Sequence, residues 1–287
     1  MEHGSLTEKI RSPVRRVKRF CYRQSNRKIF KKNLRPTDVF LVGHPKSGNT
    51  WLALMLGVVL EKNFDGNITL ANVQEFIPAF HAKDGKIGAF SNLPNPRVFR
   101  NEGPVYPECY PKTIYIVRDP RAVYVSYYRH LVHDNRVLRK DASETTLEDF
   151  TDEILTHGCL RDLEPYLVRW DKQVSQWIDR SKSQAVKIVK YEDLKQDRRA
   201  VLEDVLGFME FECEPAEIDR AVERGSFDSM RNEEKTHGAE PYSGTKGEGG
   251  FFVRKGKVDG WKDEMPAEIE ERIVAEFSDV MKTVGYL

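Results

Sequence analysis

The stretch from Val39 to Leu60, VFLVGHPKSGNTWLALMLGVVL, leaves few options for the chain around it. Val39, Phe40, Leu41 and Val42 form a short apolar run of strand type, and Trp51 to Leu60 form a longer one of helical length. Between them lies a turn punctuated by glycine and proline. The first N–H groups of a helix lack intrahelical acceptors and sit at the positive end of its dipole, so a strand–loop–helix junction is an anion site. Gly43 and Gly48 permit tight turning and close approach, Lys46 sits inside the loop, and Thr50 offers a hydroxyl. The spacing of Gly43 and Gly48 matches the front of a Walker A motif, but Asn49 and Thr50 stand where Lys and Ser/Thr are expected. The lysine is displaced into the loop, which argues against an ordinary ATPase.

The 287 residues, 39% of them hydrophobic, suffice for one large α/β domain. Its expected span is 37–287, behind a basic N-terminal arm over 1–36. The net charge of +1 hides that arm, since no acidic residue lies between Lys9 and Arg35. Val14, Val17, Phe20 and Cys21 recur there at helical spacing in a cationic background, as in a helix that lies on a membrane surface or binds a polyanion. Its alternative is a solvated basic helix packed on the domain. Four scattered cysteines without C-x-x-C pairing suggest a reducing compartment. The longest apolar run is about half of a membrane span of roughly 20 residues. A soluble, cytoplasmic protein is expected.

Further strand-to-helix junctions follow. Thr113 to Val117 (TIYIV) suits a buried central strand, and Asp119 and Pro120 suit the N-cap and first position of a helix running to about His133. Ala185 to Val189 predicts a third core strand, leading through Tyr191-Glu192-Asp193 to a helix from about Arg198 to Met209. A brief strand is expected over Arg97 to Arg100. Helices are expected over Leu147 to about His157 with Thr146 as cap, over Tyr166 to Arg180, and over about Ala267 to Val284, with Trp170 and Trp177 in the core. The repeated junctions specify a central, mainly parallel sheet flanked by helices, with ligands bound beyond the C-terminal strand ends. Asn63 to Asn95 reads as short helices and loop, Asp134 to Thr146 as loop, and Glu233 to Gly250 as a glycine-rich loop of lid composition.

Three elements rich in cations and hydroxyls stand at strand ends or glycine turns: Lys46 with Asn49 and Thr50, Arg118 with Ser126, and Arg254 with Lys255. Together they suit a ligand with more than one phosphate. Here the residues carry a family resemblance. Pro45 to Trp51 (PKSGNTW) resembles the 5′-phosphosulfate loop of the cytosolic-type sulfotransferases, whose donor is 3′-phosphoadenosine 5′-phosphosulfate (PAPS). Arg118 to Ser126 (RDPRAVYVS) resembles their 3′-phosphate element, Tyr191-Glu192-Asp193 their YED segment, and Arg254-Lys255-Gly256 with Trp261-Lys262 their C-terminal signature. The resemblance covers about Thr37 to Lys262 and implies a P-loop-like fold.

It implies that Lys46 contacts the sulfuryl group and the bridging oxygen, and that Ser47, Gly48, Asn49 and Thr50 hold the 5′-phosphate. Arg118, Ser126, Arg254, Lys255 and Gly256 would hold the 3′-phosphate. Trp51 and Phe227 would flank the adenine, and Tyr191 would touch it. The chain departs from the pattern at the base: the family's histidine is replaced by Glu102 in Arg100-Asn101-Glu102. A free glutamate titrates near about 4.3, so burial would have to raise its pKa. His44 and then His81 are the alternatives. Asp259-Gly260 inverts the signature's usual order, and the family's C-terminal dimer motif is not recognisable, which leaves the oligomeric state open. No metal is implied. The expected acceptor is a small molecule or glycan bearing a hydroxyl or amine, with a lean to polar acceptors from the loops' composition. The rivals are a P-loop nucleotide kinase and a catalytically silent PAPS-fold binding protein.

Overall fold

The computed structural model describes residues 26–61, 67–79, 87–133, 146–158, 168–238, 253 and 256–287. Four strands, β1 (Val39–Gly43), β2 (Val98–Asn101), β3 (Lys112–Val117) and β4 (Val186–Lys190), form one parallel sheet in the order β2-β1-β3-β4. Side chains alternate across a strand, and here the faces have separate cores. Phe40, Val42, Phe99, Tyr115 and Val117 face one apolar cluster, and Val39, Leu41, Val98, Ile114 and Ile116 the other. Both faces are covered, as a parallel sheet with crossover helices requires.

On the second face lie α1 (Asn49–Leu60), the short α2 (Val73–Phe76), α7 (Arg198–Met209) and α8 (Pro215–Arg224). Helix α1 is apolar nearly all round because it is enclosed all round, by the sheet beneath it and α8 against it. The first face carries α3 (Pro120–His133), α4 (Leu147–His157), α5 (Trp170–Ser181) and α10 (Ala267–Thr283). Trp170 and Trp177 are fully buried there as core residues. The cap at Thr146 is a reciprocal capping box: its Oγ1 accepts from the Asp149 N–H (3.1 Å) and its own N–H donates to the Asp149 carboxylate (3.1 Å). The Asp119 cap also forms, with Oδ1 accepting from the Arg121 N–H at 2.9 Å.

Several expectations need correction. The helix expected from Tyr166 begins only at Trp170, with residues 168 and 169 non-helical. Helices α8 and α9 (Phe227–His237) were not anticipated, and Glu233 to His237, read as loop, is the last turn and a half of α9. The signals were present but local: Glu214 and Glu217 make a capping box ahead of Pro215, and Ser226 caps α9 by accepting from the Ser229 N–H. Strand β2, expected over Arg97 to Arg100, is Val98–Asn101, and it begins beside a buried ion pair between Arg97 and Asp38 (2.5 Å).

The last residues of the basic arm pack on the domain. Residues 26–32 are helical, and Phe30 is fully buried against Phe40, Tyr106 and Tyr110. Arg35 donates to the carbonyls of Ser91 and Leu93. The arm's helical pattern over Val14 to Cys21 lies outside the described residues. Among the described residues, no helix is long and apolar enough to cross a membrane, and neither Cys109 nor Cys213 is in a disulfide.

Candidate active site

The chain runs from β1 to β2 on one side of β1 and to β3 on the other, so a crevice opens at the C-terminal ends of β1 and β3. Both strands release their functional loops there. The loop after β1 turns through Lys46 (φ 68°) and Gly48 (φ 112°) before α1 begins at Asn49. Gly48 is obligatory on two counts: its φ is closed to most L-residues, and a Cβ would stand 2.9 Å from the Tyr191 ring and 3.0 Å from Ile116. Asn49, where a Walker lysine would stand, instead binds the loop to itself, with Nδ2 donating to the Gly43 carbonyl at 3.2 Å. Its backbone N–H stays on the helix N-terminus, where anion donors are expected.

Arg118, directly after β3, reaches across the crevice. Its Nη1 donates to the Lys46 carbonyl (2.9 Å) and its guanidinium lies over the Tyr191 ring (4.1 Å), while Trp170 Nε1 fixes its own carbonyl from the core (3.1 Å). From the opposite side Arg100 Nη1 donates to Thr50 Oγ1 (3.1 Å), which puts a second guanidinium beneath the first turn of α1. Trp51 is held by its indole N–H on the Gly225 carbonyl (2.8 Å) and meets Tyr191 edge-on at 5.4 Å.

One cleft, of about 1080 Å³ including its open mouth, brings together most of the expected residues. Lys46, Gly48, Asn49, Thr50 and Trp51 line one wall, and Arg118, Ser126 and Tyr191 the next. Phe227 and Gly256 line the cleft as well, as does Glu102 on the turn after β2. Ser47 does not reach the cleft: its side chain is fully buried. Arg254 and Lys255 lie outside the described residues, as does His81. His44 is buried behind the loop against Tyr127, away from the cleft, and burial pushes its pKa down to about 4.

Residues that sequence reading missed also line the cleft. Lys195 follows Tyr191 by one turn of α6 (Tyr191–Gln196), and its ammonium lies 5.8 Å from both the Trp51 and Phe227 rings. Burial and the neighbouring Arg198 lower its pKa. Met230, one turn after Phe227 on α9, is a further addition, found by helical spacing only once α9 is known, and Trp261, read in the sequence only as part of the C-terminal signature, also lines the cleft. Gly256 has a positive φ, and a Cβ there would collide with the Phe227 ring.

The residues present fit a nucleotide with phosphates at both ends. Arg118, which lines the cleft, has in its Nε a buried donor without a hydrogen-bond partner among the described residues. The N-terminus of α1 and the Arg118 guanidinium line the cleft together with the rings of Trp51, Tyr191 and Phe227.

Comparison with known proteins agrees. The amine sulfotransferase of the rabbit (Oryctolagus cuniculus) is 26% identical over 258 residues, 87% of this chain and 82% of its own. The mouse (Mus musculus) sulfotransferase 1E1 is 24% identical over 261 residues, 86% and 84% of the two chains. The crystal structure of mouse sulfotransferase SULT7A1 complexed with PAP shares the fold, with a TM-score of 0.62, 22% identity, and coverage of 90% of this chain and 88% of that one. The sulfotransferase domain family matches residues 36–285, from the start of β1 through α10. The chain therefore belongs to the sulfotransferase domain family and is an enzyme that moves a sulfuryl group from PAPS to a hydroxyl or amine.

Proposed function

We propose that Lys46 and Glu102 carry this transfer, with the acceptor a small molecule. The observation that supports it is their convergence: two residues from different strand ends line one cleft at the N-terminus of α1. In this reading PAPS supplies the activated sulfuryl group and departs as adenosine 3′,5′-bisphosphate. The backbone donors of Gly48, Asn49 and Thr50, in a loop closed by the Ser47 N–H on the His44 carbonyl (3.1 Å), hold the 5′-phosphate. Lys46, fixed in a left-handed turn, supplies the cation that neutralises charge on the departing oxygen. Arg118, Ser126 and Gly256, together with Arg254 and Lys255, hold the 3′-phosphate. Trp51, Phe227 and Tyr191 enclose the base. Glu102 accepts the proton of the acceptor's hydroxyl or amine as the new bond to sulfur forms. Its turn is held from beneath, because Gln173 Nε2 donates to the Glu102 carbonyl (2.8 Å) and the Tyr110 hydroxyl bridges both backbone groups of Val105 (3.2 and 3.0 Å).

The acceptor panel follows from the relatives and the loops. An amine sulfotransferase among the relatives puts amines beside phenols and sterols, and the polar loops keep glycosylated metabolites in the set. The reading also places the enzyme in the cytoplasm, on the strength of its resemblance to cytosolic-type enzymes. Adenosine 3′,5′-bisphosphate should raise the melting temperature well above the effect of equal concentrations of ADP or ATP, and labelled sulfate should then pass to members of the panel. Equal stabilisation by all three nucleotides would return the chain to a general nucleotide-binding role.

A further inference from the structure

Three residues of the cleft, Arg118, Tyr191 and Trp261, come from three separate elements, and each touches or adjoins one polar network on the far side of the sheet end. Glu192, next to Tyr191, is its centre. Glu192 Oε1 accepts from the Asp119 N–H (3.3 Å), tying the junction after β4 to the junction after β3 that carries Arg118. Glu192 Oε2 accepts from the hydroxyl of Tyr286 at 2.7 Å. Arg121 closes the ring: it binds both Asp119 carboxylate oxygens (Nη2 to Oδ2, 2.7 Å; Nε to Oδ1, 3.0 Å), donates to Glu270 on α10 (3.0 Å) and to the Tyr286 carbonyl (3.3 Å), and lies over the Trp261 ring at 4.4 Å.

Tyr286 reaches this position because α10 ends in a left-handed Gly285 (φ 73°), after which the Tyr286 N–H turns back to the Met281 carbonyl (2.8 Å). Lys190 Nζ lies over its ring at 4.9 Å. We propose that Tyr286 is a positioning residue for the nucleotide: through Glu192 it locks together the two strand-to-helix junctions that present Arg118 and Tyr191 to the cleft. This rests on the reading above that Arg118 and Tyr191 contact the nucleotide.

The chemistry of the network explains why a hydroxyl is needed. Burial raises the Glu192 pKa, and the groups that oppose this are the Tyr286 hydroxyl, the Glu192 and Asp119 N–H groups, and the Arg118 charge. Asp119, Arg121, Glu270 and Lys190 are the further charged groups that touch the network among the described residues. Removing the Tyr286 hydroxyl deletes the side-chain donor that Glu192 has among the described residues, so Glu192 takes up a proton at higher pH and its hold on the Asp119 N–H weakens.

The test is calorimetric titration of the full chain with adenosine 3′,5′-bisphosphate for the parent, Tyr286→Phe, Glu192→Gln, and Glu192→Gln combined with Tyr286→Phe, at about pH 8 and about pH 6. Tyr286→Phe is expected to bind about fivefold more weakly, with the deficit larger at the lower pH, and to raise the KM for PAPS while leaving kcat for a saturating acceptor unchanged. The added pH dependence should vanish in the double variant, whose position 192 cannot titrate. Parent-like affinity of Tyr286→Phe at both pH values overturns the proposal, as does a pH dependence of the double variant larger than that of Glu192→Gln alone, since the ligand's own phosphates titrate near about pH 6 in every case. Should Tyr286→Phe fail to fold, Glu192→Ala serves in its place, with the same expected loss of affinity. Arg118→Gln separates the two layers: if it too binds as the parent does, the nucleotide reading itself falls, whereas a loss there beside parent-like Tyr286→Phe removes only the role of Tyr286.

Discussion

Glu102 and His44 show how differently two candidate bases fare once burial is known. Both were legible as candidates by sequence position, one replacing the family's histidine and the other adjoining the phosphate loop. Folding puts His44 behind the loop, neutral and away from the cleft, and leaves Glu102 on a braced turn that lines it. Glu102→Gln preserves shape and removes the proton acceptor. It is expected to lower kcat about 100-fold while adenosine 3′,5′-bisphosphate binds within about twofold of the parent. Steady-state kinetics with calorimetry decide this, and parent-like turnover would take Glu102 out of the base role. Lys195 and Arg100 were not singled out because their relevance depends on neighbours far along the chain: Trp51 and Phe227 for the first, Thr50 for the second.

At the scale of elements, the β1–α1 junction was readable because its determinants are local. A strand run, two glycines and an apolar helix suffice, and Gly48 does the conformational work. Gly48→Ala would put a methyl against Tyr191 and Ile116 at a φ that costs an L-residue about 1–3 kcal/mol. A fall of several degrees in the ligand-free melting temperature is expected, together with at least about tenfold weaker binding of adenosine 3′,5′-bisphosphate, measured by thermal denaturation and calorimetry. The unforeseen α8 and α9 have the opposite origin. Their sequences are polar on most faces, and they are helical because Ala221 and Met230 bury against α1 and its neighbours.

At the scale of the molecule, a fully enclosed imidazole couples the phosphate loop to global stability. His44 titrates near 6.5 when unfolded and about 4 when folded. The unfolded chain therefore binds the extra proton as pH falls below about 6.5, and stability is lost progressively down to about pH 4. The loss is on the order of 1.4 kcal/mol per pKa unit of separation, a few kcal/mol in all. His44→Gln, which keeps a donor for the Pro45 carbonyl without titrating, should lose less stability than the parent between pH 7 and about pH 5 in urea denaturation. Equal losses would show that other groups govern the acid limb.

The residues by themselves determined the α/β class, the anion-binding junction at Gly43 to Thr50, the second junction at Arg118 to Pro120, and the family. Each of these is written in a few consecutive residues whose backbone preferences and apolar pattern need no partner to be read. Tertiary structure decided which of these loops face one another. The order β2-β1-β3-β4 set Arg118 against Lys46, burial removed His44 and Ser47 from the cleft, and the turn after α10 carried Tyr286 to Glu192. Those contacts depend on strand order, burial and chain reversal, which arise from the packing of distant segments and leave no mark in any one of them.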